Sequence, residues 1–301
     1  MDQTPNRLQF KGSRAPAWSA AGSRALRKIV RAATISPIAI GAIVLATVAG
    51  PVVLAPSAGA SSQRQVIEVF GDSLGWQAGS YLARDFRKTT IVNESHLYPG
   101  TSVCDWLPAI EKLTTSDAPN VAVLEFIGNV STCDGSVTSP TALASAYKAD
   151  LTKAITTLLG VGVRYVIVDE GPRAHCTLYA YCVAQPNLHA AFVQVVTSFN
   201  SSYVIYAGLA DRAVETPDGK FAQSLKCLAA ESRAKFCARG AQIIVRSADG
   251  VHFCPVSDQA QGKMTPCPIY ASGAYRFAAG LAKTIWALDP STKPTTGTTT
   301  P

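Results

Sequence analysis

The residues most suited to chemistry are Gly71-Asp72-Ser73-Leu74, which stand where a strand is expected to lead into a helix. The apolar run at residues 65–70 is rich in β-branched and aromatic residues, and apolar residues then recur at helical spacing over residues 74–87. A serine on such a turn presents its hydroxyl at the carboxyl edge of the sheet, beside the free N–H groups of the helix. This setting suits a hydrolytic nucleophile, although Gly-Asp-Ser is also ordinary turn chemistry.

A serine hydroxyl needs a base, and His252 is the candidate that the sequence favours. Asp249 precedes it by three residues, after a strand-like run and before the last predicted helix. An aspartate at this spacing can hold the imidazole through Nδ1 and leave Nε2 free to face Ser73. The other histidines have no acidic residue at a comparable spacing and are predicted to be polar surface or loop residues: His96, His175 and His189.

Donors for a developing oxyanion are the third requirement. Gly100 follows the second predicted strand in Tyr98-Pro99-Gly100-Thr101, and its N–H could approach a substrate. Asn129 follows the third predicted strand, and its side-chain amide can donate a hydrogen bond. Together with the N–H of Ser73 they give three candidate donors. The alternative interpretation is that Gly100 is a turn residue and Asn129 a helix N-cap.

Strand-like and helical patterns alternate along the chain. The strand-like runs are residues 65–70, 90–94, 121–127, 164–169 and 203–206, with a weaker one at 242–246, and the helical stretches are 74–87, 103–113, 142–159, 188–199 and 273–288. This alternation predicts an α/β fold, a three-layer α/β/α sandwich around a parallel, flavodoxin-like sheet of about five strands. Glu68 and Glu125 interrupt buried strands, and we expect them to pair with basic side chains of the covering helices.

Residues 1–60 are predicted to be a signal peptide. Basic residues precede an uncharged, mostly apolar run at residues 32–54, and Ala58-Gly59-Ala60 gives a small-residue cleavage site. The run of 23 residues is also long enough to remain as an uncleaved membrane anchor. The hydrolase-like domain is then residues 61–290, and residues 291–301 form a Thr- and Pro-rich tail that is expected to be disordered.

Net charge does not indicate nucleic-acid binding. The leader holds seven of the 27 Lys and Arg and one of the 20 acidic residues, which leaves 20 basic and 19 acidic side chains in residues 61–301. From the leader we expect a secreted or cell-envelope protein that contacts a membrane only if the leader is uncleaved. We also expect it to be a monomer.

All eight cysteines follow the leader, and an even number in an exported chain predicts disulfides rather than a metal site. Eight cysteines allow 105 pairings, but local spacing favours Cys176–Cys182, Cys227–Cys237, Cys254–Cys267 and, for the remaining two, Cys104–Cys133. The last bridge would tie the Gly100 loop to the Asn129 loop. We hypothesise that it preorganises the donors, whereas the plainer alternative is stabilisation by about 2–4 kcal/mol.

These residues resemble the four sequence blocks of the SGNH/GDSL hydrolases, in the family's order over residues 66–288. Ser73 matches the first block, Gly100 the second, Asn129 the third, and Asp249 with His252 the last. The resemblance implies a secreted, lipase-like serine esterase with a catalytic triad of Ser73, His252 and Asp249. It also implies an oxyanion hole from Ser73, Gly100 and Asn129, with no metal or organic cofactor. Small-molecule, lipid or glycan esters are the expected substrates.

The chain departs from the family pattern at two places. The third block lacks the usual Asp after Asn129, and a segment between Cys254 and Cys267 is inserted after the histidine, where it could shape the pocket. Gly71 to Gly75 also fits the Gly-x-Ser-x-Gly elbow of α/β-hydrolases, but few residues precede the serine. An O-acyltransferase of envelope glycans with the same triad, and a non-catalytic binding domain, are also compatible with these residues.

Overall fold

The computed structural model describes residues 65–86, 90–135, 137, 139–173, 180–233, 236–254, 267 and 271–293. The predicted signal peptide, the Cys176 side of one predicted disulfide and residues 294–301 of the tail lie outside this part of the chain. Within the described residues, no helix is long and apolar enough to cross a membrane.

Strands and helices alternate through most of the described chain. The strands are β1 (Gln65–Gly71), β2 (Thr90–Leu97), β3 (Val121–Glu125), β4 (Tyr165–Asp169), β5 (Val204–Tyr206), β6 (Ser224–Lys226) and β7 (Gln242–Ile244). The helices are α1 (Ser73–Phe86), α2 (Val103–Ile110), α3 (Pro140–Gly160), α4 (Ala180–Ser198), α5 (Gly208–Arg212), α6 (Ala229–Arg233) and α7 (Ser272–Leu288). Short 3₁₀ turns occur at Thr132–Asp134 and Pro290–Thr292.

The central sheet has five parallel strands in the order β2-β1-β3-β4-β5. Helices α1, α5 and α7 pack together, and α2, α3 and α4 form a second group. Every residue of β3 and β4 is buried, as expected for strands covered on both faces. The predicted α/β fold with a parallel five-stranded sheet is confirmed.

The order of the strands determines where a site can form. The chain moves outward from β1 to β2, then crosses back over β1 to β3, so the strand order changes direction beside β1. Ligands of open α/β sheets bind beyond the carboxyl ends of the strands at such a point. The segments that follow β1, β2, β3 and β4 therefore share one edge, and the sequence motifs lie in these segments.

Three expectations from the sequence differ from the structure. The weak run at residues 242–246 contributes β7, which pairs antiparallel with β6 in a separate two-stranded sheet. Helix α4 begins at Ala180 rather than at Leu188, so that Pro186 lies inside it. The tail does not begin at residue 291, because the Asp289 side chain caps the turn at Pro290–Thr292 and Thr292 is buried.

Candidate active site

Ser73 is the first residue of α1, and Asp72 alone separates it from the carboxyl end of β1. The Asp72 side chain accepts the N–H of Leu74 through Oδ1 (3.0 Å), and the Asp72 carbonyl accepts the N–H of Trp76 (2.9 Å). The first bond satisfies an N–H group that the first turn of a helix leaves unpaired, and the second is the first i→i−4 bond of the helix itself. The turn is therefore fixed, and Ser73 is 3% exposed.

Ser73, His252 and Asp249 meet in one hydrogen-bonded chain. His252 Nε2 lies 2.9 Å from Ser73 Oγ, and His252 Nδ1 lies 2.7 Å from Asp249 Oδ2. The His252 side chain is 11% exposed, so little water competes for these bonds. With Nδ1 donating to the carboxylate, Nε2 is the nitrogen that can accept the serine proton.

A tight turn after β7 presents the histidine. The Asp249 Oδ1 atom accepts the N–H groups of Val251 (2.9 Å) and His252 (3.0 Å), and Gly250 has a φ of +83°. Burial by itself would raise the pKa of Asp249, but the hydrogen bonds from the His252 ring and from these two N–H groups outweigh it and lower the pKa. Asp249 is thus held in the ionised form that an imidazolium needs.

Gln77 is a supporting residue that the sequence analysis missed. It lies one helical turn after Ser73 on α1 and is fully buried. Its Oε1 accepts the N–H groups of Phe253 (2.8 Å) and Cys254 (3.3 Å), and its Nε2 donates to the Cys254 carbonyl (3.4 Å). Helix α1 therefore holds both the ring of His252 and the backbone just after it. The i, i+4 spacing of Ser73 and Gln77 is the signal that could have indicated this.

Asp72 joins the turn after β1 to the turn after β3. Its Oδ2 accepts the Ile127 N–H (2.8 Å) and the Asn129 side-chain amide (3.0 Å). Burial raises the pKa of Asp72 to about 6, although N–H groups including that of Ser73 and the charge of His252 favour the ionised form. Asp72 is thus an acceptor for the Asn129 amide, one of the three groups predicted to bind an oxyanion.

The predicted donors are less fully arranged than Ser73 and His252. The Asn129 amide gives its second bond to the Thr101 carbonyl (3.2 Å), so both of its hydrogens are used within the protein. Gly100 lies at the third position of a turn closed by the Thr101 N–H and the Tyr98 carbonyl (3.4 Å). Its φ of +81° is the left-handed conformation that this turn position requires, and it is exposed. The oxyanion-hole assignment of Gly100 and Asn129 stays a prediction.

The Cys104–Cys133 disulfide, predicted from the sequence, connects the segments that carry these donors. Two similar caps meet beside it: Ser102 N–H donates to Asp105 (2.8 Å), and Ser131 N–H donates to Asp134 (2.7 Å). The Ser131 hydroxyl also donates to Asp105 (2.8 Å) and so links the two caps. We call this arrangement, Ser102–Asp105 with Ser131–Asp134 and the disulfide, the loop clamp.

Two further predicted disulfides, Cys227–Cys237 and Cys254–Cys267, are also present. The fourth predicted pair includes Cys176 and lies partly outside the described residues. Among the described residues, three groups of Cys, Asp and Glu side chains are close enough to share a cation. Each group includes a disulfide-bonded cysteine, whose sulfur is not available as a thiolate ligand.

The expectation for the two strand glutamates was wrong. Glu68 pairs with the neighbouring strand rather than with a helix: its carboxylate contacts His96 Nδ1 (2.5 Å) and the Asn93 amide (2.9 Å).

Glu125 accepts the Gly75 N–H (2.6 Å), and its Oε1 has no hydrogen-bond partner among the described residues. Burial and the nearby Asp72 and Asp169 raise the pKa of Glu125 well above its usual value. A Cβ at residue 75 would lie 2.5 Å from the Glu125 carboxyl oxygen. Gly75, the second glycine of the Gly-x-Ser-x-Gly motif, is therefore needed for the first turn of α1 to lie this close to Glu125.

Two of the other histidines have acidic partners in space, and they lie in regular elements rather than in loops, His96 in β2 and His189 in α4. His96 pairs with Glu68, and His189 Nδ1 pairs with Glu170 Oε1 (2.6 Å). Spacing along the chain could not reveal these pairs, because each joins residues on different elements. Among the described hydrogen bonds, Nε2 of His96 and Nε2 of His189 bond to no serine or cysteine, whereas Nε2 of His252 bonds to Ser73. His175 lies outside the described residues.

Comparison with known proteins gives neighbours only at the level of structure. No protein-family model and no curated protein sequence matches the chain. A GDSL-like lipase from Bacteroides thetaiotaomicron has a TM-score of 0.44 at 12% identity, over 74% of this chain and 88% of its own. An inhibitor-bound aryl esterase of M. smegmatis has a TM-score of 0.43 at 14% identity, over 74% and 99%. The acetyl xylan esterase AlAXEase has 0.42 at 16%, over 73% and 99%.

Proposed function

We propose that the chain is an exported serine ester hydrolase. The observation that carries this proposal is the continuous hydrogen-bonded chain from Ser73 Oγ through the His252 ring to Asp249, with distances of 2.9 and 2.7 Å. A hydroxyl, an imidazole and a carboxylate in this order provide a nucleophile, its base and the group that orients the base.

The reaction begins when Ser73 Oγ attacks the ester carbonyl and His252 Nε2 takes the serine proton. The tetrahedral intermediate collapses as His252 returns that proton to the leaving alcohol, which leaves an acyl group on Ser73. Water then attacks the acyl-enzyme with His252 as base, and the carboxylic acid departs. Asp249 stays ionised throughout and stabilises the imidazolium, which agrees with its lowered pKa.

The oxyanion would be bound by the N–H groups of Ser73 and Gly100 and by the amide of Asn129. Asn129 is within reach of this role because it is bonded to Asp72, the neighbour of Ser73. Its amide has to exchange or share one of its two present bonds when negative charge develops on the substrate.

Export is supported by the three disulfides, which persist in oxidising compartments, and by the leader-like residues 1–60. If a sugar hydroxyl replaced water as the acceptor, the same residues would make an O-acyltransferase. The two reactions share the acyl-enzyme and differ only in what removes the acyl group.

The test is hydrolysis of p-nitrophenyl acetate by the full chain, with Ser73→Ala as the variant. We expect a loss of at least about 10³-fold in kcat, as is typical when the nucleophile of a triad is removed. Ser80→Ala is the matched control, because Ser80 is exposed on the same helix. A fluorophosphonate should label wild type and Ser80→Ala but not Ser73→Ala, as read by intact mass.

Wild-type protein that neither hydrolyses the ester nor accepts the phosphonate would favour the non-catalytic binding domain. Equal labelling of Ser73→Ala and wild type would place the nucleophile elsewhere. Transfer of acetyl to an added sugar at a rate above hydrolysis would favour the acyltransferase.

A further inference from the structure

Arg246 lies between β7 and the turn that presents His252, and part of its guanidinium is enclosed without an acceptor. Its Nε and Nη1 atoms are both buried, and neither has a hydrogen-bond partner among the described residues. None of the described ion pairs includes Arg246. Buried charged donors that lack an acceptor are destabilising, so in a native protein they indicate a partner that is not part of the described chain.

The guanidinium is held in place by contacts that connect it to the relay. The backbone N–H of Arg246 donates to the Gln223 carbonyl (3.4 Å), and the guanidinium carbon lies 5.6 Å from the centre of the Phe221 ring. The Phe221 ring makes a T-shaped contact with Phe253, the residue after His252, with 5.7 Å between the ring centres. A guanidinium held against an aromatic ring is already ordered, so it loses less freedom when it binds a ligand.

Asp249 is the acidic group whose charge acts on Arg246, but its oxygens are used by the relay. Burial lowers the pKa of the Arg246 guanidinium, and the charge of Asp249 acts in the opposite direction. Asp249 Oδ2 is bonded to His252 Nδ1 (2.7 Å), and Oδ1 accepts two backbone N–H groups. These three donors offset the negative charge of Asp249, and they leave the Arg246 guanidinium without an acceptor.

The guanidinium can be reached from solvent. Arg246 is partly exposed, and Nη2 is not among its enclosed nitrogens. Each hydrogen-bonding edge of a guanidinium contains Nη2, paired with either Nε or Nη1. An oxyanion that arrives from solvent therefore bonds to Nη2 and to one enclosed nitrogen at once, and carboxylate and phosphate match this fork. A cation would be repelled, and a neutral hydroxyl would accept one bond without offsetting the charge.

We infer that Arg246 forms an oxyanion-binding site beside the His252 turn, which takes a carboxylate or a phosphate group. This chemistry has two sources, an anionic group on the ester substrate and a free anion in solution. Binding at Arg246 does not depend on the proposed function, whereas a group carried by the substrate does.

The first experiment is a calorimetric titration of the full chain with inorganic phosphate, at an ionic strength held constant with NaCl. Arg246→Gln should weaken binding by about 10–100-fold, the range for loss of hydrogen bonds to a charged group. Arg246→Lys keeps the charge without the fork and should lie between wild type and Arg246→Gln. Arg164→Gln is the matched control, because Arg164 also lies over an aromatic ring, that of Tyr165 (4.9 Å), but is exposed.

Thermal unfolding of the same proteins in NaCl alone tests whether the guanidinium is unpaired. Because the charge has no acceptor in the chain, Arg246→Gln should not lower the Tm. A Tm lower by about 4 °C or more, which corresponds to about 1 kcal/mol or more, would show that the protein itself satisfies the guanidinium and would overturn the inference. Equal phosphate affinity of wild type and Arg246→Gln would overturn it as well.

The second experiment distinguishes the two sources by comparing p-nitrophenyl acetate with p-nitrophenyl hemisuccinate, whose acyl group carries a carboxylate. If the substrate supplies the anion, the ratio of kcat/KM for hemisuccinate to that for acetate should fall by about 10–100-fold in Arg246→Gln, and phosphate should compete with hemisuccinate. If a free anion occupies the site, phosphate binds through Arg246 but this ratio is unchanged.

The two proposals fail separately. Wild type that cleaves neither ester but binds phosphate through Arg246 contradicts the proposed function alone. Wild type that cleaves the acetate and binds phosphate no better than Arg246→Gln contradicts the oxyanion site alone.

Discussion

The two halves of the candidate site differ in how completely they are assembled. The relay half, Ser73, His252 and Asp249, has both of its hydrogen bonds in place. The donor half is the N–H groups of Ser73 and Gly100 with the Asn129 amide. Both hydrogens of the Asn129 amide are bonded to other protein groups, and Gly100 lies on an exposed turn. The relay half therefore depends on side chains that are already paired, whereas the donor half depends on how neighbouring loops are held.

The largest effect is expected in the relay half, from Asp249→Asn. The asparagine amide favours the wrong imidazole tautomer, so kcat should fall by roughly 10⁴-fold with KM little changed. Glu68→Gln is the control, because Glu68 also bonds to a histidine Nδ1 but no serine lies at that histidine's other nitrogen among the described bonds. Steady-state rates on p-nitrophenyl acetate measure both. Similar losses in the two variants would remove the distinction between the relay and an ordinary carboxylate–histidine pair.

Asn129→Ala tests the donor half directly. If the amide turns from Asp72 to the oxyanion, its loss should lower kcat by roughly 10²–10³-fold, the usual effect of removing one such donor. Asn93→Ala is the matched control, because Asn93 also donates its amide to a carboxylate, that of Glu68, away from the relay. A loss below threefold in Asn129→Ala would mean that the amide serves only to connect Asp72 with Thr101.

Gln77→Leu tests the support of the relay half. The two N–H groups after His252 would lose their acceptor, and the ring would lose its alignment with Ser73. We expect kcat to fall by about 10–100-fold at unchanged KM, since small misplacements of reacting groups have effects of this size. Gln77→Glu keeps an accepting oxygen and should retain more activity. Equal losses in both variants would contradict a positioning role through Oε1.

The difference between the halves also explains what the sequence could predict. Asp249 and His252 are three residues apart on one turn, so their contact is local and spacing indicates it. The parallel sheet was predictable because strand and helix patterns alternate, and it brings the Ser73, Gly100 and Asn129 segments to one edge. The roles of Asp72 and Glu125 could not be predicted, because each depends on a side chain that reaches a distant backbone N–H. For Gln77 the sequence shows only its i, i+4 spacing from Ser73, and not the distant N–H groups that its side chain accepts.

The loop clamp allows a smaller and more specific test of the donor half. In Cys104→Ser/Cys133→Ser the Gly100 and Asn129 segments are held by the caps alone, and we expect kcat to fall by about tenfold with KM unchanged. Cys227→Ser/Cys237→Ser is the matched control, since it removes another local bridge from the β6–β7 region. Thermal unfolding is measured in parallel. Unchanged turnover with a lower Tm would show that the bridge only stabilises the domain, by about 2–4 kcal/mol.

The smallest effect on activity is expected from Asp169→Asn, at the carboxyl end of β4. Burial raises the pKa of Asp169 from 3.8 to about 8, and it faces Asp211, whose pKa is also raised by burial and by Asp169. Because the folded state disfavours the ionised form of Asp169, wild-type stability should rise as pH falls from about 8 toward 4.

In Asp169→Asn the oxygen can still accept the Gly171 N–H, and the amide can donate to Asp211. We therefore expect a higher Tm at pH 8, by about 2–4 °C for each kcal/mol relieved, and a flatter dependence of Tm on pH, with kcat within about threefold of wild type. A wild-type Tm that falls steadily as pH is lowered from 8 to 5 would contradict this sign. Such a result would mean that Asp169 and Asp211 are stabilised in their ionised forms, and the ionised forms would then need a cationic partner at the edge of the sheet that carries both halves.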